Sequence, residues 1–527
     1  MSGAHGEPGR CSVRAEQVPR LANGKRTSQG FVAVTPFMAL MCAVLLTGGA
    51  HAARAGGVVG TGTPDSCTEE AFDTAAGGGG LVTFNCGGPA TITFTSQKQV
   101  QNNSNITVDG GGVITISGGN SVNIAIVAGL ATLTVQNLTF VDSNDPYYGA
   151  FWNHSGTLNV INCTFSGNHG AISTDANAVL TTVTNSTFTG NSGRAINGGS
   201  LLAAVANTGS GPLTVTNSIF TGNSGGAISN IGTLTITGST FSGNSGGASN
   251  SGAINAGAGT LTVINSTFSG NTTSSSYGTG AISNGGTLTV INCTFSGNAG
   301  SGSTHPSSLG NYGTLTLTNT IVANSTKGPN CTGTIIDGGH NIDDGATCGF
   351  STAKGSLNKT NPLLDPAGLA SNGGPTQTIA FQADSPAINA GDETVCAATP
   401  VNNLDQRGYG RPGVGEMNCS IGAYEYNAQA LGPTATATET PITIPTPTST
   451  PTATAVPTPP VVPCVGDCDG RGDVTVNEII TLVNIALGTE HVADCPNGLA
   501  PGTTDANVTV ALIIQAVNNA LGTCPTH

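Results

Sequence analysis

Residues 259–271 read GTLTVINSTFSGN. Leu261 and Val263 alternate with Thr, the two-residue period of a strand with one buried face. The register breaks at Asn265. Asn tolerates left-handed backbone, so a sharp bend between two short strands is expected there. Beyond the bend Ser266 and Phe268 turn inward again, and Thr267 turns out.

The phrase recurs as GTLNVINCTFSGN from Gly156, GPLTVTNSIFTGN from Gly211, GTLTITGSTFSGN from Gly232, GTLTVINCTFSGN from Gly286 and GTLTLTNTIVANS from Gly313, with looser copies from Ala131 and Ala178. Its anchors, Phe140, Phe165, Phe188, Phe220, Phe241, Phe268, Phe295 and Val322, are 21 to 32 residues apart. Units this short cannot bury a core alone and must stack. A second phrase, as in Gly226-Ala227-Ile228, Gly252-Ala253-Ile254 and Gly280-Ala281-Ile282, supplies a third strand. Three short strands and three turns per unit make one coil of a parallel β-helix. Asn stands three residues before most anchors (Asn137 to Asn319) and three after (Asn168 to Asn298). Equivalent residues on successive coils lie about 4.8 Å apart, so both columns are read as structural amide ladders.

Composition agrees. Of 527 residues 78 are Gly, and charged residues make up 8%, against roughly 25% in ordinary soluble domains. Helices disfavour this much Gly. The net charge of -14, with no Lys/Arg cluster past residue 26, argues against nucleic acid as a partner. Residues 1–52 read as an export signal: Lys25 and Arg26, an apolar run from Phe31 to Leu46, then Ala50-His51-Ala52. The run is shorter than the ~20 residues of a spanning helix. Cysteines fit an oxidising compartment, with disulfide candidates Cys67 and Cys86, Cys331 and Cys348, Cys396 and Cys419, and a group of Cys464, Cys468, Cys495 and Cys524 of open connectivity. Cys163 and Cys293, at the inward position two before the anchor, are expected to be free. The expected location is secreted or cell-surface, including association with an outer membrane.

The GGAI and FSGN phrases resemble the repeats of polymorphic outer membrane proteins, within the right-handed parallel β-helix, pectate-lyase-like superfamily. Residues Asn403 to Gly408, Arg411-Pro412 and Cys419 to Glu425 are similar to the tail of proteins with a choice-of-anchor Q domain. Together these resemblances span roughly residues 60–426 and imply an all-β right-handed solenoid over residues 53–430 with a cap at each end. Ser66-Cys67-Thr68-Glu69 has capping-box spacing for a helical lid. Arg407, Arg411 and Glu425 are expected to tie down the terminal coils.

Pectate-lyase chemistry needs clustered carboxylates holding calcium and an Arg base, and polygalacturonase chemistry needs convergent acids. Residues 146–326 carry only Asp175 and Arg194 as charged side chains, so no catalytic residue is assigned. One loop has the makings of a sugar subsite, with acids beside stacking aromatics: Asp142, Asp145, Tyr147, Tyr148, Trp152 and His154. The expected function is adhesion, display or glycan binding. The alternative is a secreted polysaccharide lyase or glycoside hydrolase acting on plant- or matrix-type polysaccharide.

Residues 431–463 form a Pro/Thr-rich spacer. Residues 464–527 follow as a small all-α, EF-hand-like module. A 12-residue calcium loop numbered from Asp467 has Asp469 at 3, Gly472 at 6, Asp473 at 7, Thr475 at 9 and Glu478 at 12, with Arg471 at 5. A helix then places Ile480, Val483 and Leu487 inward. The tandem resembles a type I dockerin, which implies calcium at the first loop only and a cohesin-like or cell-surface receptor as partner.

Overall fold

The computed structural model describes residues 56–145, 148–193, 204–209, 211–247, 251–276 and 278–430, and, in a separate C-terminal unit, 464–468, 471, 474–486, 491–499 and the single positions 504, 508, 512, 513 and 516. The expected export signal of residues 1–52, Tyr147, Arg194, the spacer, Asp469, Gly472, Asp473, Leu487 and Cys524 lie outside these residues.

The first unit is a parallel β-solenoid. One face is a ten-stranded sheet running from Lys98–Val100 to Cys331–Thr332, one strand per coil. The other strands pair on either side of a bend, so that Leu234, Leu261 and Leu288 stack in one register and Phe241, Phe268 and Phe295 in another. The bend is where the sequence places it. Asn137, Asn162, Asn185, Asn217, Asn265, Asn292 and Asn319 all have φ between 45° and 54°. The exception is Gly238, which takes the bend of the Phe241 coil at φ 61°.

Three ladders fill the interior. The rings from Phe165 to Phe295 stack at 4.6 to 4.8 Å with interplanar angles of 3° to 7°. Beside them run buried amides from Asn168 to Asn298. In a typical step Asn244 donates from N and Nδ2 to Asn271 Oδ1 (3.1 and 2.9 Å), and from Nδ2 to Phe220 O (2.9 Å). The third ladder is of hydroxyls: Ser186, Ser218 and Ser239 each donate through N to the Oγ of the next coil, at 3.1 to 3.2 Å. Cys163 and Cys293 stand in this column, buried and free as expected. Burial pushes both thiols up to about 12.

Coil length varies most at one corner. From Leu213 to Phe220, Leu261 to Phe268 and Leu288 to Phe295 the step is always seven residues. From the Phe to the next strand of the ten-stranded face it is seven at Phe165 to Ile172, 17 at Phe188 to Val205 and eight at Phe220 to Ile228.

Helix α1 (Glu69–Ala76) covers the first coil, and its base is tied by Cys67–Cys86. The capping box is not formed from Ser66. That residue ends a 3-10 turn, and Thr68 caps α1 by accepting from Ala71 N. Glu69 instead crosses to the first coil, where Thr95 and Ser96 each donate N and Oγ to it and Lys98 Nζ lies at 2.6 Å. These donors hold its carboxyl far below the usual range even though partial burial opposes ionisation. The far end is closed by residues around Phe350 and the Cys331–Cys348 disulfide.

Beyond this closed end the chain continues as a strap. After the last coil the chain makes an antiparallel hairpin (Leu364–Ala370 with Thr378–Phe381) and a short helix α2 (Glu393–Ala397), and doubles back along the solenoid flank. Thr376 Oγ1 donates to Gly238 O, Asn265 Nδ2 to Leu404 O, Thr267 Oγ1 to Gln406 Oε1, and Ala423 N to Thr294 Oγ1. Arg407, Arg411 and Glu425 therefore do not hold the end coils directly: they form the strap's own buried centre. Arg411 lies 3.0 Å from Glu425 and donates to the carbonyls of Leu404, Ser420 and Gly422; Arg407 pairs with Asp405 at 2.7 Å. The Cys396–Cys419 disulfide closes the strap.

In the C-terminal unit, helix α3 (Val476–Ala486) packs Leu482 and Ile485 on Val474, Leu499 and the Cys468–Cys495 disulfide. Cys464 packs on the same cluster. The expected inward face is wrong by one position on the helix wheel. Ile480 is half exposed, because the stripe anchored by Val474 runs through Ile479, Leu482 and Ile485.

Candidate functional site

The outward side of the strand Phe151–Asn153 carries the most concentrated chemistry of the solenoid flank. Alternation buries Phe151 and Asn153 and turns Trp152 out, between Ile126 and Ser173 of the neighbouring coils. Tyr148 lies on the indole with ring centroids 3.8 Å apart and planes 8° from parallel. His154, in the turn that follows, has its ring 4.8 Å from the indole. The indole Nε1 is buried with no hydrogen-bond partner among the described residues.

The neighbouring coil completes the cluster. Asp175 Oδ2 lies 2.8 Å from His154 Nδ1, and Thr208 Oγ1 donates to Asp175 Oδ1 at 3.4 Å. His154, Asp175 and Thr208 each follow a residue of one register row, Asn153, Thr174 and Asn207. That row is the signal in the sequence that ties Asp175 to His154 across the coils. The two acids of the loop also hold its shape. Asp145 Oδ1 accepts the Tyr148 N–H at 2.8 Å and so fixes the aromatic turn. Asp142, at φ 53°, accepts from Ser117 Oγ of the preceding coil.

The strip thus offers two stacked rings, an imidazole held by a carboxylate, and a hydroxyl, on a flank whose other outward residues, Ile126 apart, are small and neutral from Ser173 and Ala206 to Ser283 and Gly310. Planar rings bind the apolar faces of sugars and other flat or cyclic molecules. A His oriented by an Asp can accept or donate a proton. Among the described residues no group of three His, Cys, Asp or Glu could hold a metal ion.

In the C-terminal loop, Asp467 and Glu478 are both buried. Arg471 N donates to Asp467 Oδ1 at 3.0 Å, and Thr475 donates N and Oγ1 to Glu478 Oε2 at 2.8 and 2.7 Å. Glu478 therefore caps the start of α3 from its third position, in the manner of a capping box. Asp467 and Thr475 lie in the loop before α3, and Glu478 lies in its first turn. The other two proposed ligands, Asp469 and Asp473, lie outside the described residues.

The chain matches no known family model, no curated protein and no solved structure.

Proposed function

We propose that this is an exported surface or extracellular protein that binds glycan along the flank of a right-handed parallel β-helix, in adhesion or display. The observation that supports this is the Tyr148–Trp152 stack continued by the His154–Asp175 pair, on a flank whose remaining outward residues are nearly all small and neutral. On this reading the solenoid is a rigid rod of the pectate-lyase-like and polymorphic outer membrane protein kind. The C-terminal unit is a dockerin-like attachment module, with calcium held by Asp467, Asp469, Asp473, Thr475 and Glu478, that engages a cohesin-like or cell-surface receptor. Calcium would supply charge that draws the loop together, with Asp467 and Glu478 as its buried carboxylate ligands. A calcium titration that left the melting of residues 464–527 unmoved would remove the metal from this proposal.

The test of glycan binding is a panel of neutral and acidic oligosaccharides titrated by calorimetry against the full chain. Binding by at least one class, weakened tenfold or more in Trp152→Ala, is the expected result. Unchanged binding in that variant sinks the assignment to this strip. The His154–Asp175 pair is the feature that favours the lyase or hydrolase reading, so the same polysaccharides are assayed for reducing ends and unsaturated products. Turnover lost in both His154→Ala and Asp175→Asn would replace binding by catalysis.

A further inference from the structure

The solenoid core is not uniformly filled. The phenylalanine ladder starts at Phe140, and in the two coils before it the same register row holds Ile116 and Ile92. Ile is smaller than Phe, and the missing rings leave space. A cavity of about 380 Å³ lies there. Its walls include Val108, Ile116, Val135 and Phe140, and Phe72 of α1 and Phe94 also line it. The wall residues Ile116 and Phe140 are buried, at 2% and 1% exposed. An apolar cavity of about 150 Å³ is enough to hold benzene, so this one takes a chain on the order of ten carbons.

Its mouth, between the C-terminal end of α1 and the strand Lys98–Val100, is polar. Lys98 Nζ sits 2.6 Å from Glu69 and 2.7 Å from Asp73. Two carboxylates face one ammonium. Glu69 is engaged by Thr95, Ser96 and Lys98; Asp73 meets Lys98 through both oxygens, at 2.7 and 2.9 Å, and half of its side chain remains exposed. An apolar pocket with a few placed polar groups at one end is the usual form of a small-molecule site.

We propose that this cavity binds a medium-length alkyl amphiphile with a cationic head, the tail beside Ile116 and Phe140 and the head at Asp73. This site is independent of the glycan-binding strip.

The full chain is titrated by calorimetry with decylamine, 1-decanol and decanoate, and by the fluorescence of N-phenyl-1-naphthylamine. The expected result is saturable one-to-one binding of decylamine, with decanoate at least tenfold weaker. Ile116→Phe, which extends the ring ladder into the cavity, should weaken decylamine at least tenfold while its melting temperature stays level or rises. Asp73→Asn should abolish the preference for amine over acid and leave 1-decanol unchanged. No saturable binding of any of the three compounds overturns the proposal, as does full-strength binding in a folded Ile116→Phe. If that variant does not fold, Ala125→Leu fills the same space from the ten-stranded face, and undiminished binding in it overturns the proposal equally.

Discussion

The coils of Phe165 and Phe188 and the coils of Phe241, Phe268 and Phe295 are built from one template, yet their outer sides differ. Thr164 and Thr187 stand partly exposed; Thr240, Thr267 and Thr294, in the same register column, are fully buried. The difference is the strap. Its Gln377, Gln406 and Ala423 take up the hydrogen-bonding groups of those three threonines in place of water. A repeating surface gives a partner no place to stop, because every coil offers the same groups. Here the place is marked by Gly238. Without a side chain at the bend it opens its carbonyl to Thr376, and an added Cβ would collide with Asn217 Oδ1. The bare region is held by repetition alone, and the strapped one adds a non-repeating network with buried charge at its centre.

Truncating the ring ladder gives the largest expected effect. Phe188→Ala and Phe241→Ala should each cost about 4 kcal/mol, measured by denaturant unfolding. Equal losses mean the two regions share one core. A much smaller loss at Phe241 would mean that the strap, not the ladder, holds that coil. Next comes the strap's centre. Glu425→Ala leaves the Arg411 guanidinium buried without its charge partner, at a cost of about 3 kcal/mol. The loss should fall on the strap: hydrogen exchange quickens at residues 404–426 while the far-ultraviolet β signal persists. Loss of both together would show that the solenoid does not stand without its strap.

Acid should act on the lid. The Glu69 carboxyl is held low in the folded state, so its contribution is present above the unfolded carboxylate range and is lost as pH falls through the folded value. Glu69→Gln should remove about 2 kcal/mol at neutral pH and flatten this acid limb of a melting-temperature profile. A smaller effect separates the two outer surfaces. Thr267→Val should cost about 1 kcal/mol through its lost bond to Gln406, and Thr187→Val should be close to neutral. Equal effects would mean the strap contacts contribute nothing. The smallest change is Cys163→Ser, expected within about 0.5 kcal/mol, because Ser fills this column in the following coils. Its thiol should resist alkylation until the chain unfolds.

The solenoid was legible because its signal repeats. Each bend Asn, each inward Phe and the free thiols could be checked against several copies. The disulfides Cys67–Cys86, Cys331–Cys348 and Cys396–Cys419 were legible because each joins cysteines close in sequence. The strap was not, since its contacts, such as Thr267 with Gln406, link residues over a hundred positions apart and follow no period. The site was half legible. Trp152, Tyr148 and His154 stand out by type, but Asp175 joins them only through the pairing of two coils. The α1 cap and the α3 face failed for a local reason. Thr68 and Ser66 both have cap chemistry, and Ile479 and Ile480 are equally apolar, so tertiary packing chose between them.

The corner where coil length varies has an evolutionary consequence. Lengthening a connection there costs only loop-closure entropy, about 0.6 kcal/mol for each doubling. The seven-residue step from Leu to Phe, and with it every ladder, is left intact. Tyr148 lies in one of these connections. New segments can thus be acquired and lost at this corner, coil by coil, without renegotiating the fold, and the chain can change the chemistry its flank presents at a rate its interior could never sustain.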